Sequence, residues 1–136
     1  QVRHGDIYAL PFANATADVV IIHQVLHYLD DPARALIEAR RILHPDGRLM
    51  VVDFAPHELE MLREVHAHRR LGISTDQITG WFNRAGLALQ QHALLPPPWL
   101  KEQTGLTVSV WLAINKSSRP SPTAAEPRHD LEQNQI

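Results

Sequence analysis

The sequence contains no cysteine, which excludes disulfides, thiolate nucleophiles and cysteine-ligated zinc. It holds no apolar run near the roughly 20 residues needed to cross a bilayer, and no secretory signal opens it. No excess of one charge is present either. The 13 Lys and Arg face 15 Asp and Glu, for a net charge of −2 with His neutral, so there is no basic footprint for direct nucleic-acid binding. What is there is globular in composition: 44% hydrophobic and 21% charged over 136 residues, one domain or part of one. A soluble, cytoplasmic protein is the expectation. The chain opens at Gln1, inside residues read as a strand (Val2 to His4), as a fragment would.

Ala17 to Phe54 is the most informative stretch, because it reads as one strand–helix–strand unit. Val19-Val20-Ile21-Ile22 is the continuous apolar run that a strand buried on both faces requires. It stops at His23-Gln24, which places polar groups at the strand's carboxyl end, where open parallel sheets bind ligands. Asp31 and Pro32 predict a helix start. Leu36, Ala39 and Leu43 give that helix one apolar face, with Arg34 and Glu38 paired at i,i+4 outside. Pro45-Asp46-Gly47 reads as a tight turn into a strand over Arg48 to Phe54.

Upstream, Val2 to Ile7 reads as the end of a strand. Downstream, His57 to Arg70 is a polar helical stretch with a thin stripe of Met61, Leu62 and Val65. Ser74 with Gln77 forms a capping box, and Gly86 stands where a C-terminal cap belongs. Leu87 to Leu95 and Leu106 to Ile114 read as two strands, joined through Pro96-Pro97-Pro98 and Gly105 and able to lie antiparallel. The whole is an α/β sheet finishing in a hairpin over residues 1–114. From Asn115 the chain turns rich in Ser, Pro and charge, and residues 115–136 are expected to be a disordered tail.

These residues resemble the C-terminal half of a class I S-adenosylmethionine-dependent methyltransferase, a Rossmann-like fold whose seven-stranded sheet ends in such a hairpin. Gly5-Asp6-Ile7 with Leu10-Pro11-Phe12 is similar to the family's acidic adenine-binding loop. Ala17-Asp18-Val19-Val20 resembles its fourth strand, and Leu26-His27-Tyr28-Leu29 the segment leading into the next helix. Arg41 to Leu49 resembles its "RxLxPGG" turn, with Asp46 where the first glycine is usual. The stretch HQVLHYLDDP, with HAHRRLG, further resembles methyltransferase domains fused behind winged-helix regulators of the arsenic-repressor type.

The resemblance implies methyl transfer from S-adenosylmethionine to a small-molecule acceptor. It also marks an absence. The family's GxGxG loop has no counterpart, since the six glycines at 5, 47, 72, 80, 86 and 105 are isolated. The chain is therefore expected to carry half a cofactor site, to be nearly inactive alone, and to expose the edge of Asp18 to Ile22, open to self-association. A cofactor-sensing or structural domain of a transcriptional regulator is the alternative.

Each candidate residue has two readings. Asp6 either accepts a hydrogen bond from the adenine amine, with Ile7 packed on the ring, or orders its own loop. His23 and Gln24 either line the methionine side of the cleft or cap a strand end. His27 and Tyr28 either face the acceptor, where a His serves if the acceptor must lose a proton, or, for His27, it is a satisfied polar group in the loop. Asp53 either touches substrate or caps a loop. His57, His66 and His68 lack the i,i+4 spacing of a helical metal motif, so no metal is expected. Trp81 and Phe82 read as core.

Overall fold

The computed structural model of this chain describes residues 1–56, 71–96 and 106–116. Its elements are β1 (Ala17–His23), a 3-10 turn (Leu26–Tyr28), α1 (Pro32–Ile42), β2 (Leu43–Phe54), α2 (Thr75–Ala85), β3 (Leu87–Leu95) and β4 (Val108–Asn115). They form one four-stranded sheet in the order β1-β2-β4-β3. β1 and β2 run parallel, as a strand–helix–strand crossover requires, while β4 is antiparallel to both β2 and β3. The hairpin expected from sequence is present, with its second strand inserted between β2 and the first.

Local chemistry accounts for the helix ends. The Asp31 side chain accepts from the Arg34 amide at 3.2 Å, and Pro32 occupies the first helical turn of α1. Ser74 and Gln77 exchange both bonds of a capping box at the start of α2. Gly86 closes that helix in the left-handed region at φ 81°. Both helices lie on one face of the sheet. Leu36 and Phe82 are fully buried there against Leu49, Val51 and Trp111, each contributing roughly 1.5–3 kcal/mol. β4 alternates accordingly, with Ser109, Trp111, Ala113 and Asn115 buried and the residues between them half-buried.

Four expectations need correction. Val2 to Ile7 forms no strand: none of the described strands pairs with it, and only an isolated bridge joins Asp6 to Ala9. The segment 45–47 lies within β2 as a bulge, because Ala17 pairs with Leu43 whereas Val19 pairs with Arg48. Asp46 takes φ 65° there.

Glu38 takes Arg41 as its bonded partner through Arg41 Nε, and the Arg34 guanidinium sits 4.9 Å from the Tyr8 ring centroid instead. Asn115 belongs to β4 and not to a tail. Its Nδ2 donates to the Leu43 and His44 carbonyls at 3.3 and 3.0 Å, tying the sheet's last strand to the start of β2. The expected helix over His57 to Arg70, with its three histidines, lies outside the described residues, as do Trp99, Gly105 and residues 117–136.

Among the described residues no helix is long and apolar enough to cross a membrane.

Candidate functional site

The carboxyl end of β1 opens into a cleft of about 180 Å³ between the 6–10 loop, β1 and α1. Ile7, Leu10, Val20, Val25 and Ala39 give it apolar walls, and His23 stands at its end. Three contacts hold the loop in place. The Asp6 Oδ1 accepts from the Tyr8 amide at 2.8 Å, the Tyr8 hydroxyl accepts from the Asp31 amide at 3.2 Å, and Glu38 Oε2 accepts from the Leu10 amide at 3.2 Å. Arg41 reinforces the last contact by donating to the Phe12 and Leu10 carbonyls at 2.8 and 3.0 Å. The bond from Arg41 is the main reason the Glu38 carboxyl titrates below its ordinary value. Partial burial opposes the shift, and the Leu10 amide adds to it.

β1 ends on a constrained backbone. Gln24 adopts φ 55°, a left-handed conformation uncommon for a residue with a side chain, while its amide donates to the Val52 carbonyl at 2.6 Å. That conformation turns the chain out of the sheet at the ligand-binding end and into the 3-10 turn. Backbone strain of this kind costs of order 1–2 kcal/mol and concentrates at functional sites.

Of the expected site residues, Ile7 and His23 line this one cleft. Asp6 is exposed beside Ile7, with one carboxylate oxygen engaged in ordering its own loop. Gln24 follows directly on His23. Tyr28 is 43% exposed.

His27 lies inside the turn and not at its surface. It is 1% exposed, and its Nδ1 lies 2.6 Å from Asp53 Oδ1. Asp53 is fully buried at the end of β2. Its Oδ2 also accepts from the His27 amide at 3.3 Å and its Oδ1 from the Phe54 amide at 2.8 Å. An ionised carboxylate only accepts, so the proton on this side of the ring belongs to Nδ1. Burial pairs the two because a charge removed from water needs a partner. The His27 ring then underlies the Tyr28 and Phe54 rings, with centroids 4.1 and 5.0 Å away. Asp53 thus pins the turn that carries Tyr28. It does not reach solvent.

A second polar cluster escaped the sequence reading. The buried Trp111 indole donates to Thr75 Oγ1 at 3.1 Å, and His92 stacks on Trp111 at 5.4 Å between centroids. His92 Nε2 also lies 3.3 Å from Ser109 Oγ. Cross-strand register brings His92 opposite Trp111, and Trp111 itself carried no polar signal in the sequence. The cluster joins α2 to the hairpin. Among the described residues, no three His, Asp or Glu groups converge as a metal site would need.

A parallel β–α–β unit, one apolar cleft at its carboxyl end and a closing antiparallel hairpin together define a Rossmann-like, class I methyltransferase sheet. The comparisons agree on this class. Residues 1–51 match the methyltransferase domain family. An S-adenosylmethionine-dependent methyltransferase from Mesorhizobium loti superposes with a TM-score of 0.65, covering 81% of this chain and 67% of that one at 14% identity. The [4+2]-cyclase SpnF has the same fold, with a TM-score of 0.64 and 16% identity over 82% of this chain and 54% of its own.

In sequence, a Mycolicibacterium smegmatis protein named "Probable S-adenosylmethionine-dependent methyltransferase" is 30% identical over 104 residues, 65% of this chain and 40% of that protein. A ubiquinone/menaquinone biosynthesis C-methyltransferase of Roseobacter denitrificans is 49% identical over 51 residues, 38% of this chain and 20% of its own length. The chain spans only 15%, 16% and 40% of the first three curated relatives it matches. Its fold is the one these solved structures share.

Proposed function

We propose that the protein containing this chain transfers a methyl group from S-adenosylmethionine to a small-molecule acceptor, and that the cleft at the end of β1 takes part of the cofactor. The match of residues 1–51 to a methyltransferase domain carries this reading, because those residues include the loop, β1 and α1 that build the cleft. The residues present fit one part of the cofactor. Ile7, Leu10 and Val20 offer apolar surface to a flat ring, Asp6 a carboxylate to an exocyclic amine, and His23 and Gln24 a polar boundary. At about 180 Å³, the cleft falls below the roughly 300–1,000 Å³ of pockets that enclose a whole ligand. Further contacts to the cofactor have to come from other residues.

When bound, S-adenosylmethionine supplies an electrophilic methyl carbon. The described residues supply position. A nucleophile must approach that carbon in line and at close range, so holding the two partners is the main demand. Tyr28 is the exposed candidate on the acceptor side. Asp53, acting through the buried His27 ring, fixes where Tyr28 stands.

The burial of His27 favours a second reading, in which the domain senses or merely binds the cofactor, as in a regulator. SpnF, named a [4+2]-cyclase, is a reminder that this fold by itself does not select methyl transfer.

Titration of the isotopically labelled chain with S-adenosylhomocysteine, followed by nuclear magnetic resonance, tests the cleft. The expected shifts cluster at residues 6–10 and 20–24. Shifts confined to other regions, or none at millimolar ligand, would remove the cleft from the account. Transfer of a labelled methyl group into the low-molecular-weight fraction of a cell extract then separates catalysis from sensing.

A further inference from the structure

We propose that Arg41 is a positioning residue for cofactor binding. From the last turn of α1 its guanidinium holds the segment 6–14 in the shape that presents Asp6 and Ile7 to a ligand, and so sets the affinity of a cleft it does not touch. The proposal rests on the reading of that cleft as a cofactor site. Ile7 and Leu10 line the cleft, whereas Arg41 and Glu38 stand behind the segment that forms its wall.

The segment has little of its own to fix it. Two short-range bonds run within its backbone, from the Ala9 amide to the Asp6 carbonyl at 2.9 Å and from the Phe12 amide to the Leu10 carbonyl at 2.8 Å. Arg41 supplies an anchor from outside. Its Nη2 donates to the Leu10 carbonyl at 3.0 Å, and its Nη1 to the Phe12 carbonyl at 2.8 Å and to Asn14 Oδ1 at 2.9 Å. Its Nε donates to Glu38, whose other carboxylate oxygen accepts from the Leu10 amide at 3.2 Å. One guanidinium therefore addresses residues 10, 12 and 14, and the largely buried Glu38 carboxylate aims it.

The same turn of α1 holds the segment's exit. Ala15 takes φ 52°, in the left-handed region. Its amide donates to the Arg41 carbonyl at 3.0 Å, and the Thr16 amide donates to the Ile42 carbonyl at 2.8 Å. A residue with a side chain keeps such a backbone where its surroundings over-determine it.

A cation near a helix C-terminus also complements the helix dipole. A dipole asks only for charge, which lysine supplies. Three loop acceptors and a carboxylate ask for the planar fork of arginine, with its several fixed donors. Arg40, one position earlier, has the charge without this role: its Nε is buried beside Gly86 and has no hydrogen-bond partner among the described residues. A loop that holds its binding shape for only a fraction of the time binds with an affinity reduced by that fraction.

Amide hydrogen exchange and titration with S-adenosylhomocysteine, both followed by nuclear magnetic resonance on the 136-residue chain, test this, with circular dichroism confirming that each variant is folded. In the wild type the Leu10 amide is expected to be protected, and the ligand to shift the resonances of residues 6–10. Arg41→Lys and Arg41→Gln are both expected to lose that protection and to bind about tenfold or more weakly. Arg40→Gln is expected to match the wild type in both readouts. Glu38→Gln, which leaves the fork without an ion pair to aim it, is expected to bind more weakly than the wild type and serves where neither Arg41 variant folds.

An Arg41→Lys chain that binds as the wild type does overturns the proposal, since charge alone would then suffice. So does an equal loss in Arg40→Gln, or undiminished binding by Glu38→Gln. An unprotected Leu10 amide in the wild type overturns it without any variant. The two readings fail differently. A wild type with a protected Leu10 amide that binds no S-adenosylhomocysteine removes the cleft as a cofactor site, and the proposal falls with it. A wild type that binds while the Arg41 variants bind equally well leaves the cleft standing and removes Arg41 alone.

Discussion

Replacing Asp53 by alanine tests the buried His27–Asp53 pair directly. The carboxylate serves three donors: His27 Nδ1 at 2.6 Å, the His27 amide at 3.3 Å and the Phe54 amide at 2.8 Å. Both side chains are within 2% of complete burial, so water cannot replace what is lost. Each orphaned buried donor costs about 1–3 kcal/mol. Asp53→Ala is therefore expected to lose about 3 kcal/mol or more, a large part of the roughly 5–15 kcal/mol that holds a domain together.

Asp53→Asn can keep an oxygen at the Oδ1 position that serves both the Phe54 amide and His27 Nδ1, but then turns an NH2 group toward the His27 amide that Oδ2 had accepted from, so it should lose about 1–2 kcal/mol. Urea unfolding followed by circular dichroism measures both. A double-mutant cycle with His27→Ala isolates the coupling, expected at about 1 kcal/mol or more for groups in contact. If Asp53→Ala unfolds within about 1 kcal/mol of the wild type, the pair is not the buried link described here.

Further outcomes follow from the loop, the turns and the strand end. The Glu38 carboxyl is held below its ordinary value of 4.5 in the folded chain. Its contribution is thus complete above that value and is lost as the pH falls through the folded-state titration. Glu38→Gln should unfold more readily than the wild type at neutral pH and show a flatter stability profile below pH 4.5; equal slopes in acid would refute the assignment.

Gly72 and Gly86 both take positive φ, at 91° and 81°. A Cβ on Gly72 would meet the Ala55 carbonyl oxygen at 2.2 Å, whereas one on Gly86 meets only the flexible Arg40 side chain at 3.0 Å. Gly72→Ala should consequently be the more damaging by thermal melting, with Gly86→Ala costing about 1–2 kcal/mol. Gln24→Gly should stay within about 1 kcal/mol of the wild type, relief of strain offsetting added unfolded-state entropy. Gln24→Val should lose about 1–2 kcal/mol, because a β-branched residue tolerates that backbone poorly.

Local signals in the sequence were faithful where the structure depends on local chemistry. Asp31-Pro32, Ser74 with Gln77, and Gly86 each specify a helix end through atoms a few residues apart, and each end lies where those residues place it. The apolar run from Val19 to Ile22 likewise identified β1, and His23 its carboxyl end. What remained illegible depends on contacts between distant residues. His27 and Asp53 are 26 positions apart, and nothing in either segment says that the two side chains meet. The same holds for Trp111 and Thr75, 36 positions apart. Val2 to Ile7 illustrates the opposite error. Its residues suit a strand, but strand structure needs a neighbour, and pattern alone cannot supply one.

The insertion of β4 between β2 and β3 orders events during synthesis. β3 leaves the ribosome before β4, yet among the described strands its only bonded neighbour is β4. Until residues 108–115 emerge, β1, β2 and the helices can begin to collapse while β3 hangs from α2 with its backbone groups solvated. Closing the sheet then requires one late strand to find two partners at once, pairing Asp53 with Ser109 on one side and His92 with Trp111 on the other. A nascent chain halted before Val108 is accordingly expected to hold two separate apolar strand surfaces in need of a chaperone. Release of β4 is the step that joins β3 to the rest of the described sheet.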